Sequence, residues 1–271
     1  ILHGFSRSFG PLMTERDRGD SEFSARIWLT LTKPSSDGIA AHLRKRNFDV
    51  LTRPVTRIEE LPRPQISSEI SLADKNVFLS QHAARIVMSL CEEDGIPLTG
   101  RFFAIGKATA AAIESKAPGL LVEVPKIQNS TGLLNLPELL PKSSGGELKQ
   151  DETVTIFCGE DGKDQVARAL ERNCIFRETY VYRRKKAKYE EVNVSAIDVI
   201  ICGSLHALRA IHDNHEAQLK AKDLPMVVVS ARIAVLACKF GYRRIICSRG
   251  TNMESIVACV IALNIGQSPL L

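Results

Sequence analysis

Six segments of this 271-residue chain set small or hydroxylated residues directly after an apolar run: Thr32-Lys33-Pro34, Ser80-Gln81, Gly106-Lys107-Ala108-Thr109, Cys158-Gly159, Gly203-Ser204 and Ser230-Ala231. At the end of a strand such residues leave backbone N–H groups open, and the helix that follows favours an anion at its N-terminus. Singly, each is an ordinary capping turn. Facing one another, they would suit a ligand carrying many carboxylates or phosphates. The basic run Arg183, Arg184, Lys185, Lys186 and Lys188 after Tyr182 reads as a solvated strand edge, or as an attractor of anions if it borders a cleft.

Other chemistries lack their residues. There is no GxGxxG and no GxSxG, and Gly159, Gly162 and Lys163 do not complete a GxxxxGK[ST] phosphate loop. Of the histidines, only His212 and His215 share a helix face at metal-like spacing, with no third ligand nearby in sequence, so a solvated helix face is expected and no metal. The seven cysteines form no CxxC, which points to free thiols in a reducing, cytoplasmic setting. A net charge of +5 falls short of a nucleic-acid footprint. No run approaches the ~18 apolar residues of a membrane span. Residues 1–23 have neither an apolar core nor a hydrophobic period, and read as a disordered or non-native extension.

The elements that would hold the six turns follow from an alternation of short apolar runs and amphipathic stretches. ARIWLTLT (25–32), VLTRPVT (50–56), NVFLS (76–80), RFFAIG (101–106), LLVEVP (120–125), TVTIFCG (153–159), RETYVYRR (177–184), DVIICGS (198–204), PMVVVS (225–230) and RRIICS (243–248) read as strands. Most are followed by a helix-like segment. Strands made almost wholly of Val, Ile and Phe, each followed by a helix, imply buried parallel sheets with helices on both faces. NVFLSQHAARIVMSL parallels DVIICGSLHALRAI, and RFFAIGKATAAAIE parallels PMVVVSARIAVLAC, so the expected fold is α/β with two similar flavodoxin-like lobes. The Pro/Ser/Gly break at 141–146 offers one place to divide them.

Taken in order, the turns resemble the uroporphyrinogen-III synthase family. LTLTKP stands for a Thr-Arg-Pro-like turn, VFLSQHAARIV for a Phe-x-Ser unit, AIGKATAAAI for a Gly-x-x-Thr-Ala turn, and FCGEDGKDQVARAL for Gly-x-x-Gly-Arg. TYVYRR matches a Val-Tyr-Arg strand, and VVVSARIAVLACKFGYRRIICSRGTNMESIVACVIAL matches the closing unit. No one motif is specific; the ordered set over residues 25–266 is. The chain departs from the family at Lys33 and Lys163, where arginine is commoner, and at Ile233, which replaces the second Thr of a turn.

The resemblance implies a chain path different from a split at 141–146. Residues 24–54 with 187–266 would form one lobe and residues 55–186 the other, joined by a two-stranded β ladder beside a cleft. It also implies the reaction: a monomer would cyclise hydroxymethylbilane, a linear tetrapyrrole polycarboxylate, without cofactor, metal, nucleic acid or membrane. Its substrate-binding residues would be Thr32, Lys33, Ser80, Gly106, Lys107, Thr109, Gly159, Lys163, Ser204 and Ser230, and Tyr182 its general acid. A bilobal binding protein for an acidic small molecule and a flavodoxin-like phosphate or flavin enzyme are the alternatives.

Overall fold

The computed structural model describes residues 25–62, 66–160, 164–187, 192–214, 219–250 and 252–264. The extension 1–23, Lys163, Lys188 and His215 lie outside the described residues. The described part of the chain starts with β1 (Arg26–Leu29), α1 (Ser35–Arg44) and β2 (Asp49–Thr52). It continues through β3 (Thr56–Glu60), α2 (Ile66–Ser71), β4 (Lys75–Phe78), α3 (Gln81–Glu93), β5 (Arg101–Ala104), α4 (Lys107–Glu114), β6 (Val122–Glu123), α5 (Ser130–Leu134), β7 (Thr153–Gly159), α6 (Asp164–Leu170) and β8 (Ile175–Lys186). Then come β9 (Val199–Cys202), α7 (Leu205–His212), β10 (Pro225–Val228), α8 (Ala231–Lys239), β11 (Arg244–Cys247) and α9 (Met253–Ile261).

These strands form two sheets. The first has the order β11-β10-β9-β1-β2 and is parallel throughout. The second has the order β3-β8-β7-β4-β5-β6, parallel except where β3 runs antiparallel to β8. The second sheet is built wholly from the segment between β2 and β9, so it interrupts the first. The polar break at 141–146 falls between β6 and β7, two strands of one sheet.

VLTRPVT, expected as one strand, is divided. β2 ends at Thr52 in the first sheet and β3 begins at Thr56 in the second. Pro54 lies between them and has no N–H to give a sheet, so it suits the crossover.

Side-chain alternation explains why each sheet is covered twice. In the first, Trp28, Ile200, Met226 and Val228 point to a cluster beneath α7 and α8, while Ile27, Leu29, Val199, Ile201 and Val227 point to α1 and α9. In the second, Phe78, Phe102 and Phe157 face α2, α3 and α4, and Val77, Phe103 and Ile156 face α5 and α6. Each cluster is buried, and burying a side chain of this size contributes about 1.5–3 kcal/mol. These cores hold the strand ends in place.

Candidate active site

At the carboxyl ends of both sheets lies one cavity of about 930 Å³. Open parallel sheets bind ligands at that edge because the following helices present their N-termini there. Ser80 is the N-cap of α3 and its Oγ accepts from the Ala83 N–H at 3.1 Å. Ser204 caps α7 in the same way, accepting from the Ala207 N–H at 3.0 Å. Gly106 starts α4, where Gln128 Oε1 accepts from the Lys107 N–H at 3.0 Å. A Cβ on Gly106 would stand 2.9 Å from that oxygen. The sequence therefore leaves this turn bare for a side-chain amide rather than for open space.

Of the residues expected at the site, Thr32, Ser80, Gly106, Lys107, Thr109 and Ser204 line the cavity. Lys33 is exposed outside the lining, although its neighbours Thr32 and Pro34 belong to it. Ser230 also stands outside the lining, and on that side Asn252, Met253 and Glu254 from the start of α9 line the cavity. Gly159 is buried in β7 rather than at an open turn, for the Tyr182 ring lies on it: an added Cβ would meet Cζ at 2.6 Å.

Tyr182 is 3% exposed and lies behind the lining. Its phenol donates to Ser80 Oγ at 3.1 Å, and Arg184 Nη1 approaches the phenol oxygen at 3.3 Å. The Arg184 guanidinium also lies over the ring, 5.2 Å from its centroid. Strand alternation puts Tyr182 and Arg184 on one face and Arg183 and Lys185 on the other. On that other face both pair with Glu59 of β3, whose carboxyl they hold below the usual range. The basic run thus divides, and among its described residues Arg184 is the one on the cavity.

Sequence reasoning missed several lining residues: Arg85, His82, Gln128, Asn252 and Glu254. His82 and Arg85 lie in the first turns of α3, the helix Ser80 begins, so reading one turn beyond each cap would have found them. Gln128 comes from a distant loop and left no local signal. Among the described residues, the cavity's cations, Arg85, Lys107 and Arg184, belong to α3, α4 and β8, which form or flank the second sheet. The first sheet's side supplies hydroxyls from Thr30, Thr32, Ser35 and Ser204, with Glu254 as its acid.

Among the described residues, two side-chain hydrogen-bond contacts reach across the cavity from one sheet's side to the other. Thr32 Oγ1 stands 3.4 Å from His82 Nε2, and Gln81 Nε2 donates to Ser35 Oγ. His212 stacks on Phe240 with centroids 3.9 Å apart, away from the lining. Among the described residues, no cluster of three or more His, Cys, Asp or Glu side chains could hold a metal.

The sequence model of uroporphyrinogen-III synthase, HemD, matches residues 37–258. The chain belongs to that family. The match takes in the turns at Ser80, Gly106, Gly159, Ser204 and Ser230 together with Tyr182. Among solved structures, a mutant uroporphyrinogen III synthase from the extremely thermophilic bacterium Thermus thermophilus aligns over 88% of this chain and 98% of its own, at 15% identity and a TM-score of 0.55. The uroporphyrinogen-III synthetase of Helicobacter pylori aligns over 88% and 99%, at 13% identity and a TM-score of 0.54. At such identities the likeness is one of fold: α/β, with parallel sheets flanked by helices. The family match supplies the activity, a cyclising lyase reaction of tetrapyrrole biosynthesis. Among the described residues no helix is long and apolar enough to cross a membrane.

Proposed function

We propose that this family member converts hydroxymethylbilane to uroporphyrinogen III in the cavity between its sheets. The hydroxyl of the hydroxymethyl group leaves as water, and the methylene carbon it leaves behind becomes the electrophilic end of an azafulvene. Ring D attacks it through its substituted carbon, the spiro intermediate fragments, and the macrocycle recloses with that ring inverted. The pyrrole nitrogens stabilise the cations, so the protein's task is to position the chain and supply one proton.

The observation that carries this reading is the hydrogen bonding of Ser80. Its Oγ accepts from the Ala83 N–H and from the Tyr182 phenol. A hydroxyl has two lone pairs and one hydrogen, so the Ser80 hydrogen is left to donate, and Ser80 lines the cavity. Ser80 gives its proton to the departing hydroxyl while Tyr182 replaces it. The Arg184 guanidinium, 3.3 Å from the phenol oxygen, stabilises the phenolate. The proton ring D releases on forming the product restores the phenol, and the protein ends unchanged.

The substrate's carboxylates fall to the strand-end turns that line the cavity, Thr32, Gly106, Lys107, Thr109 and Ser204, with Arg85 and Arg184 added by their place on it. Residues 24–54 with 187–266 act as one lobe and 55–186 as the other. The antiparallel pairing of β3 with the end of β8 supports their role as the connecting ladder. Supplying hydroxymethylbilane to EDTA-treated protein and separating the oxidised porphyrin isomers tests the reading: the type III isomer is expected, and type I alone overturns it.

A further inference from the structure

We infer that His82 is a positioning residue for this reaction, holding the Tyr182 ring in line with Ser80 and tying that pair to Thr32 on the other sheet. The inference rests on the proposed role of Ser80 and Tyr182. His82 follows the Ser80 cap by two residues, in the first turn of α3. Its ring meets the Tyr182 ring edge-on, with centroids 5.6 Å apart at 63°. The phenol ring also rests on Gly159 and beneath Arg184. His82 lines the cavity and Tyr182 does not, so the imidazole, with Ser80 and Arg184, stands between the ring and the substrate space. From that place its Nε2 reaches Thr32 Oγ1 at 3.4 Å, although Thr32 follows β1 of the first sheet.

A residue touching both sheets and the proton donor links the closing of the cavity to the alignment of the donor. The groups around His82 keep the imidazole neutral. Arg184 faces it from β8 and Arg85 from its own helix, Tyr182 offers a titratable phenol, and Thr32 carries no charge. Burial, then those two guanidiniums, push its pKa down to about 4. Neutral, the ring has one donor and one acceptor nitrogen, so it can meet a threonine hydroxyl in either sense. Protonated, it would become a third cation beside two arginines.

The test uses the whole protein and the variants His82→Phe, His82→Gln, Thr32→Val and the double variant H82F/T32V, with kcat, KM, isomer ratio and the pH profile of kcat as readouts. H82F should lower kcat about fivefold with KM nearly unchanged, and T32V should lower kcat by a similar factor while also raising KM, because Thr32 holds substrate as well. The double variant should fall no further than the worse of the two, since coupled residues do not add. H82Q, which restores a hydrogen-bonding amide, should recover part of the rate and should lose the acid step of the wild-type profile. Additive losses, or a wild-type kcat and pH profile in H82Q and T32V, would overturn the inference. Should H82F fail to fold, T32V and H82Q decide it by the same readouts. A wild type that yields only the type I isomer brings down the functional reading and this inference together, whereas type III at an unchanged rate from wild type and variants alike sinks this inference alone.

Discussion

The phenol of Tyr182 has Ser80 as its acceptor and Arg184 as its nearest cation, which makes a sharp comparison possible. Tyr182→Phe keeps the ring between Gly159 and His82 and removes one proton. Positioned general acids contribute about 10²–10⁴-fold, so turnover should fall at least tenfold, while stability changes by only about 1 kcal/mol. Initial rates and urea unfolding check both halves; a wild-type rate would make Tyr182 a packing residue. Gly159→Ala should disturb the same place by force, because its Cβ would sit 2.6 Å from the phenol Cζ. Overpacking of that kind costs about 1–3 kcal/mol and should displace the ring, so both stability and rate should drop. His82 gives a pH prediction. Its folded pKa of about 4 lies below the ordinary 6.5, so between those values the unfolded chain binds a proton that the folded chain refuses. Stability therefore falls as pH drops through that window. His82→Gln should remove about 2 kcal/mol of the loss between pH 7 and pH 4.5, after discounting for partial exposure. Equal acid sensitivity in wild type and variant would show that the imidazole is not held neutral.

Where an element is bound by its own side chains, its ends were legible in the residues. Val, Ile and Phe runs followed by Ser or Gly located most of the strands and the helices after them, because burial on both faces selects such residues. The misses have physical causes. β3, TRIEE, is an edge strand whose charges face solvent and Lys/Arg partners on β8, so it carries no apolar run. The helix α2 has six residues, two of them buried, too few for a period to emerge. Half of the candidate site was legible for a related reason: a cap residue announces itself at a strand end, but a side chain arriving from another loop, as Gln128 does, has no local signature. The caps also separate two serines that look alike in sequence. Ser204 Oγ accepts from the Ala207 N–H, whereas Ser230 makes no side-chain capping bond to α8. Ser204→Ala should therefore cost about 1 kcal/mol and Ser230→Ala only a few tenths. Denaturant midpoints at constant m check the contrast, and equal losses would contradict it.

At the scale of the whole molecule, charge and chain path have separate consequences. The cavity's cations come from the elements of the second sheet, so long-range attraction of a polycarboxylate should act mainly through that side. Binding of a product analogue should weaken between low and high salt. Arg85→Gln with Lys107→Gln should flatten that dependence more than Lys33→Gln does; titration calorimetry at several salt concentrations measures it, and equal slopes would oppose it. The chain path bears on how the protein is made. Because the second sheet is inserted in the chain between strands of the first, a nascent chain releases β1, α1 and β2 long before β9, the other neighbour of β1, exists: Ile27 pairs with Val50 of β2 at once, but with Val199 only beyond the whole of the other sheet. The strands of the second sheet follow one another without interruption from Thr56 to Lys186, so they can close while the ribosome is still adding the rest. Their contacts are nearer in sequence and close sooner. Pulsed hydrogen exchange during refolding should find the amides of β4, β5 and β7 protected before those of β1 and β9. Until β9 arrives, β1 is a buried strand waiting without a neighbour on one side, and this makes the N-terminal unit, rather than the inserted one, the part of the young chain most exposed to mispairing with another molecule.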